Sequence, residues 1–141
     1  KDMKLTMMIN SPGGNAYDGF ALIDTMDTSR LTIRTVGIGM IASMGAMIFT
    51  AGSPGQRVMT NNSFMMLHQH SGYNEGKYHE FVAYREHQDD LNRRFIDHLI
   101  KRSKLKEKQI RDIFLGKSDK WITPKEALRF GLCDIVKNPW E

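Results

Sequence analysis

Apolar and polar positions along this chain alternate between two rhythms. Leu5 to Ile9 is a nearly continuous apolar run, the mark of a buried strand, and Ser11-Pro12-Gly13-Gly14 breaks it with residues that favour turns. From Ala16 to Met26 the step becomes helical: Ala16, Phe20 and Ile23 repeat on one side, with Leu22 and Met26 widening the stripe. Gly19 interrupts that helix and fits a close approach by another element. Leu31 to Ile38 is rich in β-branched residues and predicts a second strand. Strand, helix and strand in this order predict a parallel, right-handed crossover unit.

The pattern continues with a short helix over Ser43 to Ala51, stopped by Gly52. Arg57 to Thr60 and Phe64 to His68 read as short strands around Asn61-Asn62, and Ser71 to Lys77 as a polar loop. Tyr78 to Arg102 carries neither Gly nor Pro and predicts a long helix, with Phe81, Tyr84, Leu91, Phe95, Ile96 and Leu99 as its apolar positions. Lys106 to Leu115 is a further helix, ended by Gly116. Thr123-Pro124-Lys125-Glu126 is a capping box with proline at the first helical position, opening a helix that Gly131 ends. Asp134 then stands at the start of a strand. Without repeats or a dividing linker, residues 1–141 predict one α/β domain.

Composition narrows the class. The chain has 141 residues, 40% of them hydrophobic, enough for one core. No apolar run approaches the ~20 residues that span a bilayer, so no membrane partner is expected. Lys1-Asp2-Met3-Lys4 shows no signal-peptide core and no initiating Met, so upstream residues are expected to be missing. The one cysteine, Cys133, sits in an apolar context and reads as a buried core residue; the absence of an internal disulfide fits a cytoplasmic setting. Net charge is +4, with basic residues concentrated from Arg93 to Arg111. Asp97, Glu107 and Asp112 are interleaved and no aromatic ladder accompanies them, so they read as solvated helix faces rather than a nucleic-acid surface. Most of the ten methionines read as core, some as lining for an adaptable groove.

The candidate chemistry centres on Ser43, in the run Gly37-Ile38-Gly39-Met40-Ile41-Ala42-Ser43-Met44-Gly45-Ala46. A serine between a strand and a helix, among residues too small to cover it, can present a free hydroxyl. Such a hydroxyl needs a base, and the base needs a carboxylate to fix its tautomer. Of the five histidines, His79, His87 and His98 fall on the long helix and read as solvated, and His70 lies in a loop. His68 ends the apolar run Phe64-Met65-Met66-Leu67, where a strand presents a side chain at a sheet rim. Asp119, beside Trp121 and just before the capping box, is the preferred carboxylate and is expected to be partly buried; Asp112 and Asp134 are rivals. Gly14 and Met44 are the candidate oxyanion donors. The first has no side chain to keep substrate away; the second follows the nucleophile at a helix start. Gly37-x-Gly39-x-x-Ala42 resembles a loose dinucleotide fingerprint but lacks the acidic partner, and Ile41 stands where the G-x-S-x-G elbow has glycine.

Ile9-Asn10-Ser11-Pro12-Gly13-Gly14, Gly39-Met40-Ile41-Ala42-Ser43-Met44-Gly45-Ala46, Met66-Leu67-His68-Gln69, Lys125-Glu126-Ala127 and Gly131-Leu132-Cys133-Asp134 closely resemble segments of the ClpP family of Clp protease proteolytic subunits. That resemblance implies a ClpP/crotonase-like α/β spiral of β-β-α units with a long handle helix, the handle region covering about 69–103. It implies a serine endopeptidase acting on unfolded polypeptides, with Ser43 as nucleophile, His68 as base, Asp119 as orienting acid, and Gly14 and Met44 as oxyanion donors. It also implies homo-oligomers of stacked seven-membered rings. A separate AAA+ unfoldase would consume the ATP, and the peptidase itself would need no cofactor or metal. A non-catalytic ring subunit and a crotonase-like acyl-CoA enzyme are the alternatives on the same fold. Several features depart from the family pattern: the family's N-terminal segment is absent, His70 replaces a usual proline, and Ser71 to Lys77 lacks the glycine-rich pattern. The stretch between His68 and Asp119 is slightly longer than usual. A divergent or phage-encoded relative would depart in this way.

Overall fold

The computed structural model describes residues 3–69 and 71–138. The elements run β1 (Lys4–Ser11), α1 (Ala16–Thr28), β2 (Thr32–Ala42), α2 (Met44–Thr50), β3 (Arg57–Met59), β4 (Phe64–Leu67), α3 (Tyr78–Arg102), α4 (Glu107–Phe114), β5 (Lys120–Ile122), α5 (Pro124–Phe130) and β6 (Ile135–Val136). The expected α/β architecture with one long helix is what the chain adopts.

β2 organises the sheet. It pairs in parallel with β1, as the strand–helix–strand pattern predicts. Its first half pairs with β3 (Thr35↔Arg57 to Gly37↔Met59) and its second half with β4 (Met40↔Phe64 to Ala42↔Met66). The strand therefore runs four residues beyond Ile38 and changes partner near Gly39. Gly39 makes this bend possible with φ +60, and Asn10 Oδ1 accepts the following Met40 N–H at 3.1 Å. The glycines that suggested a phosphate turn thus lie within a strand. β6 continues the sheet from β3 in parallel, and β5 adds to β4 antiparallel. β5 is an element the sequence pattern did not predict.

The core lies between this sheet and the helices. Ile41, Val58, Met59, Met65 and Ile122 come from the strands; Met47, Phe49, Ile96, Ile110 and Phe114 come from the helices. α1 meets α2 closely: a Cβ on Gly19 would fall 2.2 Å from Met44 Cγ, which explains a glycine in mid-helix. Cys133 is buried, and burial foremost pushes its thiol up to about 12, so it is inert as a nucleophile. Arg57 holds Asp134 through two side-chain bonds of 2.9 and 2.6 Å and tethers the end of α3 through the Arg102 carbonyl.

Only the second half of α3 joins the core, through Leu91, Ile96 and Leu99. Phe81, expected among the apolar positions, is 47% exposed because the first half of the helix leaves the body. Two of its histidines are not simply solvated. The His87 ring stacks on Tyr17, and its Nε2 bonds the Tyr17 hydroxyl. His98 Nε2 lies 2.8 Å from Thr50 Oγ1 and is largely enclosed. Several of these basic residues are paired within the chain: Arg93 with Asp97 and Glu107, Arg111 with Glu107, Lys108 with Asp112. Among the described residues no helix is long and apolar enough to cross a membrane.

Candidate active site

Ser43 stands where β2 ends and α2 begins, with φ +54 and ψ −124. It is the only non-glycine at positive φ among the described residues. Such a backbone is costly for an L-residue and persists only where its surroundings enforce it. Here the Ser43 N–H donates to the Met66 carbonyl of β4 at 2.8 Å, and the Ser43 carbonyl accepts from Ala46 and Met47 N–H at 3.0 and 3.3 Å. Gly13 packs beneath it. The small residues around Ser43 hinted at this tight corner, but its handedness was not legible in them.

β4 delivers the second group. His68 follows Leu67 directly, and its Nε2 lies 2.8 Å from Ser43 Oγ. The pairing of β4 with β2 brings the two residues together: Ala42↔Met66 leaves Ser43 and His68 just beyond matched strand ends. Gly14, Ser43, Met44 and His68 share the walls of one cleft, completed by apolar side chains including Met47, Phe95, Leu99 and Phe114. Gly14 is exposed, and a Cβ there would meet nothing within 4 Å, so the space above its backbone is open. The first backbone bonds within α2 start from Ala46 and Met47, which leaves the Met44 N–H ahead of the helical ladder.

The three candidate carboxylates occupy very different surroundings. Asp134 is engaged by Arg57, and Asp112 pairs with Lys108 on the outside of α4 at 2.7 Å. Asp119 immediately precedes β5. The antiparallel register runs Met65↔Ile122, Met66↔Trp121, Leu67↔Lys120, so one further step sets Asp119 across from His68. The two residues line a second, shallower cleft together with Gly116, Lys117 and Ser118. Asp119 is exposed rather than partly buried, and no hydrogen bond joins it to His68. The reason is its face of β5: Trp121, on the same side, is itself 50% exposed and offers no cover. His70 lies outside the described residues.

One residue of the site was not singled out by its sequence context. The Gln69 side chain reaches the Leu115 and Gly116 carbonyls, at 2.5 and 3.4 Å, at the end of α4. Its position next to His68 was the only available signal. Among the described residues no group of three or more His, Cys, Asp or Glu is placed to hold a metal ion.

The chain matches the Clp protease family over residues 1–139. It is 34% identical over 140 residues to ATP-dependent Clp protease proteolytic subunit 1 of Prochlorococcus marinus (strain MIT 9312), covering 96% of this chain and 68% of that one. It is 34% identical over 136 residues to the ATP-dependent Clp protease proteolytic subunit of Deinococcus radiodurans, covering 96% and 65%. A second Prochlorococcus marinus subunit 1, from subspecies pastoris, is 35% identical over 132 residues, covering 92% and 65%. The chain thus spans about two thirds of the length of these relatives.

Proposed function

The chain belongs to the Clp protease family, and we propose that it is a serine endopeptidase that cleaves unfolded polypeptides as the proteolytic subunit of an ATP-dependent protease. The observation that carries this reading is the 2.8 Å contact between His68 Nε2 and a Ser43 hydroxyl held on a strained corner. In that arrangement neutral His68 accepts the Ser43 proton as Oγ attacks the scissile carbonyl, then returns it to the leaving amine. Asp119 is the carboxylate for the far nitrogen of His68; the register supports it over Asp112 and Asp134. Closing the remaining gap is a movement of the 116–119 segment toward His68, as apo catalytic contacts often tighten with substrate bound. The N–H groups of Gly14 and Met44 face the developing oxyanion across the shared cleft.

The family also supports rings of identical subunits, fed by an AAA+ unfoldase in the cytoplasm, with ATP spent by that partner and no cofactor in the peptidase. A non-catalytic ring subunit would have no use for a hydroxyl bonded to an imidazole. An acyl-CoA enzyme would have no use for the pair either. Labelling the protein with a fluorophosphonate probe tests the reading. The expected adduct is one phosphonyl group on Ser43, lost on His68→Ala; an unlabelled protein, or label on another serine, overturns it.

A further inference from the structure

We propose that Gln69 is a positioning residue of this site, one whose side-chain amide holds the Asp119 segment against the strand that carries His68. The proposal rests on the serine-triad reading above. His68 is flanked by two ties to the same distant stretch of chain. On one side, Leu67 is the register partner of Lys120. On the other, Gln69 Nε2 donates to the Leu115 carbonyl at 2.5 Å, with the Gly116 carbonyl at 3.4 Å. Asp119 lies between these ties, in a run from Gly116 to Asp119 that is exposed throughout. Residues 67 and 69 thus hold the two ends of the loop whose last residue, Asp119, stands one step beyond the register opposite residue 68.

The chemistry of the contact is unambiguous. Both partners are carbonyl oxygens, so only the NH₂ end of the amide can face them, which settles the orientation of the Gln69 group. The carbonyls belong to Leu115, the C-cap of α4, and to Gly116 just beyond it, where the helix supplies no N–H partners of its own. A plain helix-capping role would end there. Three features extend it. Gln69 is exposed, where an amide exchanging with water adds little to global stability. It forms a wall of both the Ser43 cleft and the Asp119 cleft. Its tie also shortens the free loop carrying the carboxylate to the residues between Gly116 and Lys120. Losing it lets Asp119 drift, and a displacement of about an ångström at a catalytic group can cost on the order of a hundredfold.

The test is a double-mutant cycle on the purified full-length protein in its active assembly. Gln69→Glu keeps the shape but removes the donors and sets a carboxylate against two carbonyls; Gln69→Ala removes the donors without adding charge. Each is made alone and with Asp119→Asn. Peptide turnover, KM, the rate of fluorophosphonate labelling of Ser43 and the melting temperature are measured. Both Gln69 variants should lower kcat roughly 10- to 100-fold with KM and melting temperature unchanged. In the Asp119→Asn background neither should slow labelling further, because the carboxylate they position is already gone. Wild-type kcat in the Gln69 variants overturns the proposal, as do losses that multiply with that of Asp119→Asn, or a fall in melting temperature that accounts for the loss. If Asp119→Asn alone turns over at the wild-type rate, the carboxylate assignment fails, visibly and separately, and the proposal falls with it.

Discussion

Gly13 and Ser43 are packed so closely that a Cβ on Gly13 would lie 2.7 Å from Ser43 Cβ, with the Ala42 carbonyl at 2.9 Å and the Met44 nitrogen at 3.0 Å. Gly13 also has φ +102. Gly13→Ala therefore has to distort the corner that presents Ser43, at a cost of about 1–3 kcal/mol from the backbone alone. Gly14→Ala meets no atom of the chain and should leave the melting temperature unchanged, yet its methyl occupies the side from which substrate approaches. Thermal melting beside peptide kinetics separates the two: Gly13→Ala loses stability and activity together, Gly14→Ala loses kcat/KM alone. Normal kinetics in Gly14→Ala would remove its backbone from the oxyanion site.

Ser43→Ala should abolish peptide hydrolysis while melting temperature and assembly stay as they are. The substitution deletes one oxygen from a partly exposed position, and in another serine protease loss of the nucleophile lowers turnover roughly a millionfold. Retention of a tenth of the activity in a purified variant would exclude Ser43 as the nucleophile.

The three carboxylates should part company when each is changed to the amide. Asp119→Asn should lower kcat strongly with little change in KM, by about ten-thousandfold in a comparable triad. Asp134→Asn should instead cost about 2–3 kcal/mol of stability, since it strips the partly buried Arg57 of its charged partner. Asp112→Asn should do almost nothing, because its partner Lys108 is exposed on the same helix. Turnover and chemical denaturation of the three variants check this. Normal turnover in Asp119→Asn would reduce the site to a Ser43–His68 dyad.

His98 should control stability toward acid without touching catalysis. Burial first, and the nearby Arg102 charge next, lower its pKa from 6.5 to about 4. The unfolded chain therefore binds a proton that the folded chain refuses. This contribution is complete above about pH 6.5 and drains away as pH falls toward 4, by on the order of 3 kcal/mol. His98→Gln should flatten the loss of stability across that window in urea denaturation at stepped pH. The acid limb of the pH profile of peptide hydrolysis should stay where it was. A displaced acid limb would mean that His98 is coupled to the site.

What the sequence disclosed about this site was what is local in the chain. Ser43 was singled out by small neighbours within a few residues, and His68 by ending an apolar run; the structure sets the two side by side. The Asp119 relation to His68 is different in kind, because it depends on a three-residue strand, Lys120–Ile122, too short to show a period. Its outward Trp121 looked like cover for a buried carboxylate and is instead exposed. Phe81 shows a related limit: a helical repeat reveals which positions are apolar, not where the helix leaves the body that would bury them. His98 looked solvated because its neighbours on the helix are polar. Only the packing of α2 against α3 encloses it.

The strand that leads into Ser43 has hydrogen-bonded neighbours β1, β3 and β4, whereas β5 hangs at the sheet edge on β4 alone. The two halves of the site therefore belong to regions with unequal costs of local opening. Amide exchange should be slow through Ile41 and Ala42 and fast through Lys120–Ile122, so opening of the edge strand would move Asp119 without disturbing Ser43. In the proposed mechanism, a site divided in this way would lose its orienting carboxylate before it lost its nucleophile.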